Sequence, residues 1–211
     1  MTAVTKGLRG LYAITDNKLC PPEQIVEQVE SALRGGARII QYRDKREDRS
    51  SCEEEIVGIL ALCHRFEALL IINDDIDLAK KTEAHGVHLG RDDASLLQAR
   101  NILGPNAIIG VSCYNSLDLA RDAEANGADY IAFGRFFPSR IKPEAIQAEP
   151  NLLIRAKQEI TKPLVAIGGI TPENGAPLIA AGADMLAVIH GVFGQQDIHL
   201  ASHRLSALFT P

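Results

Sequence analysis

Eight short runs rich in Ile, Val and Leu recur down the chain at close intervals, and this repeat constrains the fold more than any other feature. They are Leu11–Thr15, Arg38–Arg43, Leu69–Asn73, Gly86–Gly90, Ile108–Ser112, Tyr130–Gly134, Leu164–Gly168 and Met185–Ile189. Near-continuous apolar character marks parallel strands buried on both faces. Stretches of helical periodicity lie between them. In the first, Glu23–Leu33, Ile25, Val26, Val29 and Leu33 are expected to share one stripe. The entries into the strands repeat as well: Gly35-Gly36-Ala37-Arg38, Asn126-Gly127-Ala128-Asp129 and Ala181-Gly182-Ala183-Asp184, with His85-Gly86 as a shorter version. A glycine there takes the left-handed conformation that stops a helix and turns the chain into a strand. Strand, helix and glycine stop, eight times over, predict an α/β protein with a single (β/α)8 TIM barrel spanning residues 1–211. The competing arrangement is an open doubly wound sheet, but eight units favour closure. Spread over 211 residues they average about 26 each, the lean end for a barrel.

Composition narrows the class further. No apolar run approaches the ~20 residues of a membrane span, and residues 1–10 lack the apolar core of a signal peptide. Cys20, Cys52, Cys63 and Cys113 form no CxxC pair and are expected to be reduced thiols, which fits a cytoplasmic protein. A net charge of −5, no Trp and 5% aromatics make nucleic acid a poor partner. Neither nucleic acid nor membrane is expected to bind, and the oligomeric state stays open.

In barrels of this kind the chemistry is built at the C-terminal strand ends. The second run ends Gln41-Tyr42-Arg43-Asp44-Lys45. Period-two alternation projects Gln41, Arg43 and Lys45 to one side, a set suited to phosphate oxygens; a solvated mixed-charge loop is the alternative. The third run ends Asn73-Asp74-Asp75 and the fourth runs into Arg91-Asp92-Asp93. Carboxylates beside basic residues suggest a hard divalent cation. Helix capping is the alternative, by Asp75 or Asp77 before Leu78 and by Asp93 before Leu96. Gly168-Gly169 followed by Thr171-Pro172 at a helix start reads as a backbone phosphate cradle, or as a tight turn alone. Ser112 has no His–Asp relay in sequence, and Cys113 reads as a packed thiol. His88, inside an apolar strand, is expected to be a hydrogen-bonded core histidine, and His199 and His203 to lie on a solvated helix face. The long connection Arg135–Pro150 reads as a lid or binding loop.

Taken in order, Leu11–Asp16, Gln41–Lys45, Ile72–Asp74, Gly86–Asp93, Gly110–Cys113, Phe133–Ser139 with Lys142, and Val165–Ile170 resemble the thiamine-phosphate synthase family over nearly the whole chain. The resemblance implies a (β/α)8 transferase. It joins hydroxymethylpyrimidine diphosphate to thiazole phosphate, both small phosphorylated molecules, with Mg²⁺ and release of pyrophosphate. It further implies that Gln41, Tyr42, Arg43, Asp44, Lys45, Asn73, Ser112 and Lys142 bind the pyrimidine diphosphate. Arg43, Lys45, Lys142 and Ser112 would act in catalysis, and Asp74 and Asp93 would hold Mg²⁺. Ser139, Gly169, Ile189 and His190 would take the thiazole phosphate. Two positions depart from the family pattern: Ile141 replaces a Thr and His190 a Ser. An imidazole N–H can donate as a hydroxyl does, so the ordinary thiazole phosphate is still expected. A related thiazole tautomerase and a non-catalytic binding protein are the rival readings. A tautomerase has no diphosphate to bind, which leaves Asp74, Asp93 and the Gln-x-Arg-x-Lys run unexplained.

Overall fold

The computed structural model describes residues 7–90, 95–138 and 146–210. Eight parallel strands close in sequence order into a barrel: β1 (Gly10–Ile14), β2 (Ile39–Tyr42), β3 (Leu69–Asn73), β4 (Gly86–Leu89), β5 (Ile108–Tyr114), β6 (Tyr130–Gly134), β7 (Leu164–Ile167) and β8 (Met185–Val188). Around them run α1 (Ile25–Arg34), α2 (Cys52–Arg65), α3 (Ile76–Lys81), α4 (Leu96–Leu103), α5 (Leu117–Ala125), α6 (Asn151–Glu159), α7 (Ala176–Ala180), α8 (His190–Phe193) and α9 (Ile198–Ala207). All eight expected strands are present. Among the described residues no helix is long and apolar enough to cross a membrane.

Alternation along each strand divides the apolar side chains into two cores. Leu11, Ala13, Ile40, Leu70, Ile72, Phe133 and Leu186 point outward and pack against the helices. Tyr12, Ile14, Ile39, Ile71, Tyr130, Val165 and Met185 fill the barrel interior. Each fully buried Ile or Leu contributes about 1.5–3 kcal/mol relative to exposure, so the strands carry stability while their C-terminal ends remain available for chemistry. Gly110 in β5 serves this interior directly. A Cβ there would fall 1.9 Å from the Tyr130 ring, which occupies the vacated side-chain space.

The helix-to-strand turns share one device. In α1, α2, α3, α5 and α7 a left-handed residue is followed by Ala, whose N–H reaches back five residues. The bonds are Ala37 to Ala32 O, Ala68 to Cys63 O, Ala84 to Ala79 O, Ala128 to Ala123 O and Ala183 to Leu178 O. This is the Schellman stop. The left-handed residue is Gly36, Gly127 or Gly182 in three cases and Glu67 (φ 51°) or Glu83 (φ 54°) in two. The expected stop at Gly86 is therefore corrected to Glu83. Gly86 already belongs to β4, and a Cβ on it would sit 1.8 Å from Ile108 O.

The residue after this Ala often ties down the preceding strand. Asp129 Oδ2 accepts from Ile109 N–H, Asp184 Oδ2 from Leu164 N–H, and His85 Nδ1 from Leu70 N–H at 3.0 Å.

Three local expectations change. Val26 leaves the buried stripe of α1 and is 36% exposed, because it lies about 100° around the helix from Ile25. The helix expected at Thr171-Pro172 begins only at Ala176. Asn174 instead closes a turn, accepting from Thr171 N–H and donating to Gly169 O. The cap of α4 is Ser95, which accepts from Gln98 N–H; Asp93 lies outside the described residues.

Candidate active site

The C-terminal strand ends enclose a cavity of about 360 Å³. Of the candidate residues, Gln41, Arg43, Asn73, Ser112, Gly169, Ile189 and His190 line it, delivered by β2, β3, β5 and the loops after β7 and β8. A larger concavity of about 1200 Å³ opens at the N-terminal end, between Arg9, Arg38, Glu67 and His203. It holds none of the candidate residues and lies at the end of the fold that supports stability.

Alternation sorts the Gln41–Lys45 run. Gln41 and Arg43 face the cavity, whereas Lys45 lies in an adjoining open concavity with Asp44 and Asp74, the two hollows sharing Asn73. Tyr42 and Asp44 point away from the cavity. Tyr42 Oη donates to Glu55 Oε2 at 2.7 Å, and Arg46 Nη2 lies 2.7 Å from Asp44 Oδ2 and 2.8 Å from Glu55 Oε1. The Cys52 thiol also donates to Asp44. Burial works to raise the Asp44 carboxyl, but the hydrogen bonds from Arg46 and Cys52 outweigh it and hold the group below the usual carboxylate range. These side chains fasten the loop that carries Arg43 and Lys45; they do not line the cavity.

Arg43 is itself held. Its Nη1 lies 3.0 Å from Asp16 Oδ2, with the two side chains 17% and 8% exposed. Asp16, at the end of β1, was not among the expected site residues. Its sequence signals were its place after the β1 run and at the end of the Leu11–Asp16 segment of the family resemblance; nothing local links it to a residue 27 positions away.

Asp74 follows β3 in a left-handed conformation (φ 65°), which Asp tolerates better than most residues. Its Oδ2 receives the Lys45 ammonium at 2.7 Å and the Asn73 amide at 2.6 Å. Next to it, Asp75 caps α3, accepting from Leu78 N–H. Capping thus falls to Asp75, and the Lys45 contact to Asp74. Asp74 presents a carboxylate oxygen where a cation is already accommodated, which suits a hard divalent ion. Asp93, Ser139, Ile141 and Lys142 lie outside the described residues.

The glycine pair after β7 is demanded by a neighbour. Gly168 (φ 107°) and Gly169 (φ 65°) pass under the segment after β6, where a Cβ on Gly168 would meet Arg135 Cβ at 2.3 Å and one on Gly169 would meet Pro138 O at 2.4 Å. Phe137 N–H donates to Gly168 O. The long connection after β6 is pinned at its base, where Ala148 N–H donates to Arg135 O at 2.7 Å.

Below the mouth runs a polar chain that the sequence did not announce. Gln41 Nε2 donates to Tyr12 Oη at 2.7 Å; Tyr12 Oη meets Tyr130 Oη at 2.8 Å; Tyr130 Oη meets His88 Nδ1 at 3.0 Å; His88 Nε2 meets Ser112 Oγ at 2.8 Å. The His88 and Tyr130 rings stack, with centroids 5.6 Å apart. The reading of His88 as hydrogen-bonded holds, but in place of a core position it is half-buried and lines the cavity. Cys113 is fully buried, and burial pushes its thiol up to about 12, which agrees with a packed thiol. His199 and His203 are exposed on α9.

Comparison with known proteins agrees with this arrangement. The family model for thiamine monophosphate synthase matches residues 11–192. The thiamine-phosphate synthase of Thioalkalivibrio sulfidiphilus is 48% identical over 209 residues, 99% of each chain. That of Nitrosococcus oceani is 51% identical over 199 residues, 94% of this chain and 92% of its own. The thiamine phosphate pyrophosphorylase structure from Pyrococcus furiosus superposes with a TM-score of 0.88 at 35% identity, covering 96% of both chains. A geranylgeranylglyceryl phosphate synthase from Thermoplasma acidophilum, at 18% identity and a TM-score of 0.72, shares the fold alone. The chain belongs to the thiamine monophosphate synthase family.

Proposed function

We propose that the cavity at the barrel mouth condenses 4-amino-2-methyl-5-hydroxymethylpyrimidine diphosphate with thiazole phosphate, giving thiamine phosphate and pyrophosphate by a dissociative substitution. The observation that carries this reading is the convergence of Gln41, Arg43, Asn73 and Ser112 with Gly169, Ile189 and His190 on one cavity, with the Lys45–Asp74 pair in an adjoining concavity that shares Asn73. The first group would bind the pyrimidine diphosphate and the second the thiazole phosphate.

Breaking the pyrimidine C–O bond leaves charge on the departing diphosphate and a cation on the pyrimidine methylene, which the thiazole nitrogen then attacks. Arg43 and Lys45, with Lys142 by the family resemblance, stabilise the departing charge. Mg²⁺ held by Asp74 and Asp93 would add neutralisation of the diphosphate oxygens. Asp16 fixes the Arg43 guanidinium before substrate arrives, so its geometry needs little reorganisation as charge develops. No protein nucleophile is required, because holding both substrates in one cavity supplies the positional part of catalysis. The tautomerase reading leaves the basic groups of Arg43 and Lys45 without a substrate group to bind.

A coupled assay tests the proposal. Pyrophosphate should appear only when both substrates and Mg²⁺ are present, together with thiamine phosphate in equal amount. Pyrophosphate-free turnover of the thiazole alone would overturn it in favour of the tautomerase.

A further inference from the structure

The chain of polar side chains from Gln41 to Ser112 has a direction. Four contacts join five groups, and each contact needs one hydrogen between its heavy atoms. The Gln41 amide fills the first contact as donor. Tyr12 has one hydroxyl hydrogen, and Tyr130 Oη is the acceptor within reach of it in the fully buried interior, so satisfying that hydrogen directs the second contact toward Tyr130. Tyr130 in turn donates to His88 Nδ1. The imidazole must then carry its hydrogen on Nε2 and donate it to Ser112 Oγ. The hydroxyl hydrogen of Ser112 is left over, on a residue that lines the cavity. Both phenols lie in the barrel interior, where burial raises them above the ordinary range and keeps them neutral. Neither can break the sequence by losing its one hydrogen.

We infer that His88 is a positioning residue for the condensation: oriented through Tyr130 and Tyr12 by Gln41, it holds Ser112 as a hydrogen-bond donor aimed at an acceptor atom of the pyrimidine substrate. Reversing the amide would reverse every bond and turn Ser112 into an acceptor, so the amide at position 41 sets what the hydroxyl offers. The fold provides for the chain. Gly110 yields its side-chain space to the Tyr130 ring, and ring stacking keeps His88 in the plane that reaches both Tyr130 and Ser112. The inference rests on the proposed contact of Ser112 with the pyrimidine diphosphate.

The test is ¹⁵N NMR of histidine-labelled protein, with the His88 signals identified by their loss in His88→Gln. Their displacement in Tyr130→Phe identifies them if His88→Gln does not fold. The expected ring is protonated on Nε2 and bare on Nδ1; a hydrogen on Nδ1 overturns the inference. Kinetics supplies a second arm. Removing one neutral hydrogen bond in Tyr130→Phe should lower kcat about three- to tenfold, with KM for the thiazole phosphate unchanged. In a Ser112→Ala background the same substitution should change kcat less than about twofold, because its effect is transmitted through Ser112. Equal losses in both backgrounds would assign Tyr130 a merely structural role and overturn the inference. An Nε2 hydrogen together with wild-type turnover in Ser112→Ala would instead overturn the placement of Ser112 on the substrate.

Discussion

Lys45 Nζ lies 2.7 Å from Asp74 Oδ2, so the basic group expected to hold diphosphate and the carboxylate expected to hold the cation neutralise each other. Both are partly exposed, at 53% and 28%, and exposed pairs of this kind are worth about 0.2–1 kcal/mol. The pair is therefore weak enough to exchange partners, with Lys45 turning to the diphosphate and Asp74 to a divalent ion. Mn²⁺ binding in the absence of diphosphate should accordingly tighten by up to about fivefold in Lys45→Met, measured by titration calorimetry. Asp74→Asn should lower turnover at least about a hundredfold, about 2.7 kcal/mol. Asn is the informative replacement because it tolerates the left-handed backbone, whereas Ala would add strain. Unchanged Mn²⁺ affinity in both variants would remove Asp74 from the cation site.

A second pair concerns Arg43. Asp16→Asn keeps the acceptor for Lys18 N–H but replaces the carboxylate oxygen facing the guanidinium. Charge-assisted bonds are worth about 1.5–3 kcal/mol. Arg43 is only 17% exposed, so water cannot fully take over the lost bond. The expected result is a loss of about tenfold or more in kcat/KM for the pyrimidine diphosphate, with KM for the thiazole phosphate unaltered. Steady-state kinetics with each substrate varied in turn decides it. Equal losses on both substrates would mean that Asp16 shapes the whole mouth instead of one guanidinium.

The strands were legible because parallel barrel strands are buried on both faces and write themselves as unbroken apolar runs. Gln41 and Arg43 were legible because alternation from a well-marked strand carries over into its first loop residues; the same alternation puts Tyr42 and Asp44 on the other face, where they hold the loop. The Gly36, Gly127 and Gly182 stops could be read because glycine declares its conformation. Glu67 and Glu83 could not, since nothing in a glutamate announces a positive φ; the following Ala was the common signal. The polar chain through Tyr12, Tyr130 and His88 was hidden for another reason. Tyr12 and Tyr130 are 118 positions apart, and only closure of the barrel brings them together. Asp16 escaped for the same reason, its partner being on the neighbouring strand.

His85 makes stability depend on pH near neutrality. Burial lowers its pKa first, and the charge of neighbouring His64, whose ring lies 5.5 Å away, adds to the effect. Its Nδ1 accepts from Leu70 N–H, which only the unprotonated nitrogen can do. With the folded pKa below the unfolded value, the unfolded chain takes up the proton first. This contribution is complete above about pH 6.5 and declines as pH falls toward the folded pKa. In the equivalent turns Asp129 and Asp184 make the same bond with a carboxylate. His85→Asp should therefore flatten the fall of the urea midpoint between pH 7.5 and 5.5. A slope equal to that of the parent would show that another group is responsible.

Glu67 and Glu83 hold left-handed backbone at the ends of α2 and α3, at φ 51° and 54°. Glycine serves the same place after α1, α5 and α7. A left-handed residue with a Cβ costs roughly 1–2 kcal/mol, while glycine adds entropy to the unfolded chain and returns part of that gain. Both side chains are exposed, so little packing is lost on truncation. Glu67→Gly and Glu83→Gly should each stabilise the protein by about 0.5–1 kcal/mol, raising Tm by about 1–4 °C. The reverse substitution supplies the control. At Gly127 (φ 90°) no heavy atom lies within 4 Å of an added Cβ, so Gly127→Ala isolates backbone strain and should lower Tm by a similar amount. Thermal unfolding of the three variants beside the parent measures both signs. A fall in Tm for Glu67→Gly and Glu83→Gly, with Gly127→Ala unchanged, would show that the carboxylate side chains, and not the backbone conformation, matter at these turns.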